Sequence, residues 1–236
     1  MSSEQTRVLI AGAGIGGLTL ALSLNQAGIP VRIIEQAEEI RPLGVGINVL
    51  PHAVRELVEL GLLEALAATG IRTAELAYYS KRGQLIWSEP RGREAGYHWP
   101  QFSIHRGALQ MILLEAVRAR LGEDCIVMGR KVVAAQQEGA GVRADLADRH
   151  GAAQGSLTGE VLIACDGIHS AIRAQFYPDE GPPIWNGAIL WRGVTEAKPF
   201  LTGRSMIMAG HEFQKFVAYP ISLAAAREGK AVINWI

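Results

Sequence analysis

The chain has 236 residues, 23 basic and 23 acidic side chains, and 49% apolar residues. A chain of this length can bury a substantial core, and this composition without long runs of like charge excludes a disordered protein. Without a basic excess, there is no electrostatic footprint for nucleic acid or an anionic membrane. We therefore expect a small-molecule partner, no nucleic acid and no membrane.

The two cysteines, Cys125 and Cys165, are far apart and fit no metal-ligand spacing. This usage fits a reducing compartment and predicts neither a disulfide framework nor a metal site. The N-terminal apolar run is short and broken by glycines, which is typical of a buried strand rather than a signal peptide. No apolar stretch approaches the roughly 20 residues of a membrane span. The sequence therefore predicts a cytoplasmic protein.

The first block of the chain predicts a strand, a helix and a second strand. Residues 8–11 form a continuous apolar run, and Leu18 and Leu22 recur at helical spacing. Gly28 is placed to end the helix, and residues 31–34 resume a strand.

Three further elements follow. A second helix is predicted to begin near Pro51 and to stop at Gly61, because proline suits the first helical turn. Residues 74–89 predict a hairpin around a turn at Gly83. An apolar stripe predicts a third helix from about residue 106 to residue 121.

Strand-like runs follow the third helix around Val132, Val142 and Val161. The run from residue 161 to residue 165 is wholly apolar, so we predict a strand buried on both faces. From about residue 182 the sequence becomes richer in aromatic residues, which favours an antiparallel sheet in a second domain. The runs that predict its strands are residues 188–194, 205–208, 216–221 and 231–236, with no helix among them. Because the last run stops at the final residue, we expect the chain to be truncated.

A glycine fingerprint, Gly12-x-Gly14-x-x-Gly17, lies between the first strand and the first helix. In this context the glycines permit a tight turn, close approach of a pyrophosphate and close helix packing. Glu35, at the end of the second strand, is placed to accept hydrogen bonds from ribose hydroxyls. The fingerprint alone does not separate FAD from NAD. The predicted cofactor-binding residues of this block are Gly12, Gly14, Ile15, Gly16, Gly17, Glu35 and Gln36.

A second motif begins at Asp166-Gly167 and continues through Ser170 to Arg173. An aspartate at the carboxyl end of a strand lies where α/β sheets bind ligands. The motif resembles the second fingerprint of the class A flavoprotein monooxygenases, the para-hydroxybenzoate hydroxylase-like family. This resemblance favours FAD over NAD and assigns Asp166 to the cofactor.

Other segments extend the resemblance over essentially the whole chain. Residues 103–110 resemble the family segment whose Arg and Gln lie along the ribityl and phosphate region of the flavin, here Arg106 and Gln110. Residues 41–48, 87–92 and 191–196 resemble a branch that hydroxylates phenazines. The remaining cofactor contacts implied by the resemblance are Val45, Gly46 and Val132.

The resemblance implies an FAD-dependent flavoprotein oxidoreductase that hydroxylates an aromatic ring with O₂ and with NADH or NADPH. A phenazine-carboxylate-like substrate, and so a role in phenazine biosynthesis, is the interpretation it favours. Candidates for the substrate wall are Trp191, Tyr219 and Tyr78, with Arg192 as a carboxylate partner. Tyr219 is preferred because we expect Tyr219-Pro220 to bend away from its strand near the domain interface. No side chain is assigned a catalytic acid, base or nucleophile role.

The predicted fold is α/β, with a Rossmann-like FAD-binding domain of the three-layer GxGxxG kind and a mostly antiparallel substrate-binding sheet domain. The predicted FAD-binding domain is discontinuous, comprising residues 1–73 and 100–181. The substrate domain comprises residues 74–99 and 182–236 and is expected to be incomplete, because a flavin-covering segment and a C-terminal helix of the family are missing. Two alternatives stay open: an FAD-binding protein without turnover, and an NAD-dependent dehydrogenase.

Overall fold

The computed structural model describes residues 7–236, which form two compact units. Unit 1 comprises residues 7–41 and 113–185, and unit 2 comprises residues 42–112 and 186–236. The helices are α1 Ile15–Gln26, α2 Pro51–Glu59, α3 Leu63–Thr69, α4 Arg106–Leu121, α5 Ala171–Phe176 and α6 Leu223–Arg227. The strands are β1 Val8–Ala11, β2 Val31–Ile34, β3 Gly46–Val49, β4 Ile71–Thr73, β5 Glu75–Ser80, β6 Leu85–Pro90, β7 Gln101–His105, β8 Ile126–Val127, β9 Lys131–Glu138, β10 Gly141–Ala147, β11 Ala153–Gly159, β12 Val161–Ala164, β13 Gly193–Ala197, β14 Ser205–Gly210, β15 Lys215–Pro220 and β16 Ala231–Trp235.

Unit 1 is built on a parallel four-stranded sheet in the order β12-β1-β2-β8. All four residues of β1 are buried, as a continuous apolar run in a parallel sheet predicts. Helix α1 packs on β1 and β2 through Leu18, Ala21 and Leu22, so the predicted strand-helix-strand unit is confirmed. This arrangement places the turn after β1 at the carboxyl edge of the sheet.

An antiparallel meander, β9-β10-β11, forms a further layer of unit 1. Its buried residues share one core with the parallel sheet, in which Leu9 and Ile34 lie in one cluster with Ala135, Leu146 and Ile172. Helix, sheet and meander are the three layers of the predicted Rossmann-like fold, which is therefore confirmed. Strand β11 was not predicted from the sequence, because its alanine, glycine and polar residues lack the usual strand composition.

The expectation that the strand at Val161 is buried on both faces is wrong. Strand β12 lies at the edge of its sheet, where β1 is its neighbour. Val161 is 49% exposed and Ala164 is also exposed. An apolar run of four residues fits an edge strand as well as a central one, so composition alone did not settle its position.

Unit 2 contains a six-stranded sheet in the order β13-β16-β15-β14-β5-β6. All its pairings are antiparallel except that of β14 with β5. The predicted hairpin β5-β6 therefore joins the strands that follow residue 182. The mostly antiparallel second sheet is confirmed as part of the fold class, whereas its assignment to substrate binding stays a prediction.

Two details of unit 2 differ from the sequence prediction. The strand expected over residues 188–194 is β13, which begins only at Gly193, so Trp191 and Arg192 precede it. A short helix, α6, lies between β15 and β16, where no helix was expected. Ser222 caps this helix by accepting a hydrogen bond from Ala225 N, at 3.3 Å.

A second, three-stranded sheet of unit 2 has the order β3-β7-β4. One face of β7 carries Phe102 and Ile104, which are fully buried. The opposite face carries Gln101 and Ser103, which are polar and also buried. This sheet is therefore covered on both sides. The alternation of polar and apolar residues along β7, by contrast, is typical of a strand with one face in water.

The predicted helices at Pro51 and at residues 106–121 are confirmed as α2 and α4. Within residues 7–236 no helix is long and apolar enough to cross a bilayer.

Candidate functional site

The turn between β1 and α1 uses its glycines in two different ways. A Cβ atom on Gly17 would lie 1.9 Å from the Gly12 carbonyl oxygen, and one on Gly12 would lie 2.5 Å from the Cys165 carbonyl oxygen. Gly12 also has φ of 101°, which disfavours other residues. A Cβ atom on Gly14 or Gly16 would meet no atom of the described chain within 4 Å. Gly12 and Gly17 therefore allow the close packing, whereas Gly14 and Gly16 face open space.

The amino end of α1 is open to an anion. Gly14 is its N-cap residue, and over the described residues no side chain caps the helix and its first turn holds no acidic residue. The partial positive charge of the helix end is therefore not offset locally. Ile15, the first helical residue, is half-buried. Such an end is suited to a phosphate group.

Glu35 connects the glycine turn to the end of β2. Its Oε2 atom accepts a hydrogen bond from Ala13 N at 2.7 Å, and its Oε1 atom accepts one from Ala37 N at 2.8 Å. Each carboxylate oxygen has a second lone pair, so Glu35 can still accept from a ligand hydroxyl. The neighbouring Gln36 is exposed and lines a cleft with Asp148.

Asp166 has one structural oxygen and one unused oxygen. Its Oδ2 atom accepts a hydrogen bond from Ala171 N at 2.8 Å. Its Oδ1 atom is buried, and no donor among residues 7–236 reaches it. A buried acceptor without a partner is costly, so this oxygen points to a donor from a ligand. Ser170 caps α5 through Arg173 N at 2.9 Å, and the Arg173 guanidinium lies 2.8 Å from Glu180.

Val132 belongs to the same unit, but its side chain lies in the shared core and is 3% exposed. Only its main chain is left for a cofactor contact. The sequence pattern around Val132 gives no sign of that restriction.

In unit 2, Arg106 folds over the glycine-rich loop before β3. Its amide donates to Val45 O at 2.8 Å, and its Nη2 atom donates to Leu43 O at 3.4 Å. The neighbouring His105 Nε2 lies 3.0 Å from Gly44 O. Gln110, one turn further along α4, is partly buried. Loop and helix start therefore form one local assembly, which the sequence did not predict.

Three buried residues, Gly46, Tyr219 and Asn234, together with the guanidinium of the exposed Arg192, form what we call the Gly46 cluster. Gly46 N donates to Asn234 Oδ1 at 2.7 Å, and Gly46 O accepts from Arg192 Nη2 at 3.4 Å. A Cβ atom on Gly46 would lie 2.6 Å from Asn234 Cβ and 2.8 Å from Tyr219 Cε2. The structure thus brings together three residues that the sequence assigned separately to cofactor and substrate.

The cluster presents hydrogen-bond donors. Asn234 Nδ2 is buried and has no acceptor among the described residues, while its Oδ1 atom is fixed by Gly46 N. Burial raises the pKa of the Tyr219 hydroxyl above its usual value, and the charge of Arg192 and the amide side chain of Asn48 offset part of that rise. Tyr219 therefore stays protonated at neutral pH, and Arg192 carries only donors.

The prediction that Tyr219-Pro220 bends out of its strand is wrong. Both residues remain in β15 and pair with Asn234 and Ile233 of β16. Trp191 also differs from the expectation of a strand residue in a substrate wall, because it precedes β13 and is 77% exposed. Tyr78 lies on β5, half-buried and opposite Trp87.

Sequence reasoning missed Asn48 and Asn234. Asn234 is fully buried within a run of five apolar residues, AVI before it and WI after it. A single polar residue inside such a run is a usable signal, because burying an amide is costly unless it is hydrogen-bonded. Asn48 carries no comparable signal, since its partners come from distant strands.

The uncapped helix behind a glycine turn, the carboxylate at the end of β2 and the unused oxygen of Asp166 define a dinucleotide-binding domain of the Rossmann-like class. The sequence profile of a family described as FAD binding domain matches residues 5–181. The chain belongs to this family. FAD is therefore the dinucleotide that the glycine turn is built for, and the open space at Gly14 and Gly16 and the Asp166 oxygen fit it.

Two curated relatives extend the match beyond that domain. The phenazine 1,6-dicarboxylic acid hydroxylase PhzS of Lysobacter antibioticus is 48% identical over 238 residues, covering 100% of this chain and 58% of the relative. The aurachin C monooxygenase/isomerase of Stigmatella aurantiaca is 37% identical over 190 residues, covering 80% of this chain and 47% of the relative. The chain thus spans about half the length of these relatives.

Solved structures show the same fold. The complex of Klebsiella pneumoniae HpxO with FAD and uric acid has a TM-score of 0.79 and 24% identity, covering 97% of this chain and 56% of that one. The p-nitrophenol 4-monooxygenase PnpA of Pseudomonas putida has a TM-score of 0.76 and 20% identity, covering 98% and 57%.

Proposed function

We propose that this chain is the cofactor-binding and part of the substrate-binding portion of a flavoprotein monooxygenase. It would hydroxylate a phenazine-carboxylate-like ring with O₂ and with NADH or NADPH. The 48% identity to a relative named as a phenazine dicarboxylic acid hydroxylase supports the reaction and the substrate class. The donor-rich Gly46 cluster is the structural observation that carries the proposal, because it fits the carboxylate of such a substrate.

The cofactor would be held by main chain and by two carboxylates. Gly14, Ile15 and Gly16 would face the pyrophosphate, and Glu35 and Asp166 would accept hydrogen bonds from hydroxyl groups elsewhere on FAD. Bound FAD would supply electron transfer from the nicotinamide and the activation of O₂. The other proposed cofactor contacts are Gly12, Gly17, Gln36, Val45, Gly46, Arg106, Gln110 and the main chain of Val132.

The substrate would be recognised by Arg192 and Tyr219, with the orphan amide of Asn234 as a third donor. A guanidinium and a protonated phenol together match the acceptors of a carboxylate. No acid, base or nucleophile from the protein is needed, since its task is to orient the ring and exclude water. Trp191 would act from an exposed position, so Tyr219 carries more of this proposal.

Titration of the purified 236-residue chain with FAD tests the cofactor site. We expect Glu35→Ala to weaken FAD binding by about ten- to a hundredfold, since a hydrogen bond to a charged group contributes about 1.5–3 kcal/mol. The matched control is Glu38→Ala, an exposed carboxylate three residues later. Equal FAD affinity in both variants would contradict the role of Glu35.

Turnover is tested separately by following NADH and NADPH oxidation by the FAD-loaded chain with and without phenazine-1-carboxylate. Acceleration by the aromatic acid, lost in Arg192→Ala, is the expected result. FAD binding without any acceleration would favour the alternative of a cofactor-binding chain that does not turn over. Binding of NAD instead of FAD would contradict the proposal at its first step.

A further inference from the structure

One face of the six-stranded sheet of unit 2 carries an apolar row beside the Gly46 cluster. Tyr219 of β15 contacts Gly46, and Val217 lies on the same strand face, because side chains alternate along a strand. The register of the neighbouring strands then fixes which side chains continue the row across β14, β5 and β6. We call this set the ring row, and it consists of Val217, Met208, Tyr78 and Trp87.

The ring row is accessible from outside the sheet. Val217, Met208 and Tyr78 are half-buried, and Trp87 is 60% exposed. Four neighbouring strands thus each present one apolar side chain at the same level of the sheet. Single exposed apolar residues are common on protein surfaces, whereas a contiguous apolar group with a polar border indicates a binding surface.

The border of the ring row is polar on both long sides. Towards the turn between β14 and β15, the same face carries Ser80, Gly210 and Lys215, which are paired across the strands. On the side of the Gly46 cluster lie Tyr219 and, opposite it on β16, Asn234. The Tyr219 hydroxyl is protonated, and the buried Asn234 Nδ2 has no acceptor among residues 7–236. A flat apolar ligand with an acceptor group at one end fits this surface.

The distances across the ring row relate it to the length of such a ligand. Val217 lies about 7 Å from Tyr219 along β15, and Tyr78 lies two strands further across, at about 10 Å. A carboxylate bound at Tyr219 and Asn234 places a single attached ring over Val217 and Met208. Three fused rings extend far enough to contact Tyr78 as well.

We infer that Tyr78 is a specificity-determining residue that selects three-ring aromatic acids over single-ring acids. Its side chain packs against the far ring of the ligand, and a single-ring acid cannot make this contact. Met208 lies between the two ends, where a flexible and polarisable thioether suits the face of an aromatic ring. This inference rests on the proposed function, because it takes the Gly46 cluster as the carboxylate site.

Binding of acids with increasing ring number tests this selection in the FAD-loaded chain. The probes are benzoate, 1-naphthoate and phenazine-1-carboxylate, each titrated by calorimetry. The test variant is Tyr78→Ala, and Tyr78→Phe is the conservative variant that keeps the ring. Tyr97→Ala, at an exposed position of the same unit, is the matched control.

The expected result is a loss that depends on the ligand. Tyr78→Ala should weaken binding of phenazine-1-carboxylate about tenfold, since an aromatic contact is lost together with buried apolar area. Binding of benzoate should be unchanged, and 1-naphthoate should lie in between. Tyr78→Phe and Tyr97→Ala should bind all three acids as the parent chain does. An equal loss for benzoate and phenazine-1-carboxylate, or no loss for either, would overturn the inference.

A second measurement uses the parent chain, so it does not depend on the folding of Tyr78→Ala. The five tyrosines are replaced by 3-fluorotyrosine and followed by fluorine NMR, and the Tyr78→Phe and Tyr97→Phe variants assign two of the signals. Saturating phenazine-1-carboxylate should shift the Tyr78 signal, whereas benzoate should not. The Tyr97 signal should not move with either acid. A Tyr78 signal that phenazine-1-carboxylate leaves in place would overturn the inference.

Failure of the proposed function gives a different pattern. If the acids bind in the expected order but never accelerate NADH oxidation, the proposed reaction is contradicted and the selection by Tyr78 stands. If phenazine-1-carboxylate does not bind to the parent chain, both are contradicted. A dimer that the acids do not dissociate and that Tyr78→Ala abolishes would assign the ring row to a second copy of this chain and overturn the inference.

Discussion

The glycine turn of unit 1 and the Gly46 cluster of unit 2 both depend on a glycine, but they are built from different material. Gly17 is constrained by a main-chain carbonyl of Gly12, five residues away in the sequence. Gly46 is constrained by the side chains of Asn234 and Tyr219, which come from two later strands. The first site thus depends on residues within one short sequence motif, whereas the second forms only after distant strands have paired.

The difference between a main-chain obstacle and a side-chain obstacle is measurable, and the largest effect is expected at Gly17. In Gly17→Ala the new Cβ atom would lie 1.9 Å from a carbonyl oxygen held by the turn. We expect the free energy of unfolding in urea to fall by about 3 kcal/mol. The matched variant Gly16→Ala meets open space in the same helix and should raise it by up to about 1 kcal/mol. Equal costs at the two positions would contradict the packing role of Gly17.

A smaller effect is expected for Gly46→Ala. The new Cβ atom would meet Asn234 Cβ and Tyr219 Cε2 at 2.6 and 2.8 Å, which is a milder overlap than the 1.9 Å contact at Gly17. Thermal or urea denaturation should show a loss of about 1–2 kcal/mol. A loss as large as that of Gly17→Ala would mean that the cluster is as rigid as the turn.

A third prediction concerns the helix that follows Asp166. Ser170→Ala removes the cap on Arg173 N and should lower the free energy of unfolding by about 1 kcal/mol, whereas Ser170→Asp should retain it. The unused Asp166 oxygen is not part of this cap, so FAD titration should give similar affinities for Ser170→Ala and the parent chain. A large loss of FAD affinity would show that the position of Asp166 depends on the Ser170 cap.

The smallest expected effect is a pH dependence. Burial raises the pKa of Tyr219, so the folded chain holds this proton more tightly than the unfolded chain does. The associated stability is complete below the ordinary tyrosine pKa of about 10, and it is lost as the pH rises through the folded value. As the pH rises above about 10, the free energy of unfolding measured in urea should therefore fall less in Tyr219→Phe than in the parent chain. A steeper fall in the variant would contradict a raised pKa of Tyr219 in the folded chain.

The sequence allowed the local parts of the fold and site to be predicted. The glycine fingerprint, the helix from Arg106 to Leu121 and the β5-β6 hairpin are set by residues close in the chain, so period and turn signals suffice. The edge position of β12 and the strand boundary after Trp191 depend on pairing partners, which local patterns do not specify. Asn48 was missed for the same reason, because its hydrogen bonds with Gln101 and Ser103 form only when β3 and β7 pair.

The pairings that complete both large sheets are separated by long stretches of chain. Arg7 and Glu160, at the β1 and β12 ends, are 153 residues apart, and Glu75 and Ser205, which begin β5 and β14, are 130 residues apart. Contacts this distant slow folding, because the entropy of closing the loop is lost before the pairing stabilises the chain. During synthesis, β1 and the β5-β6 hairpin leave the ribosome well before their partners, with unpaired strand edges in the meantime. We therefore expect the growing chain to need protection from aggregation more than the finished sheets do.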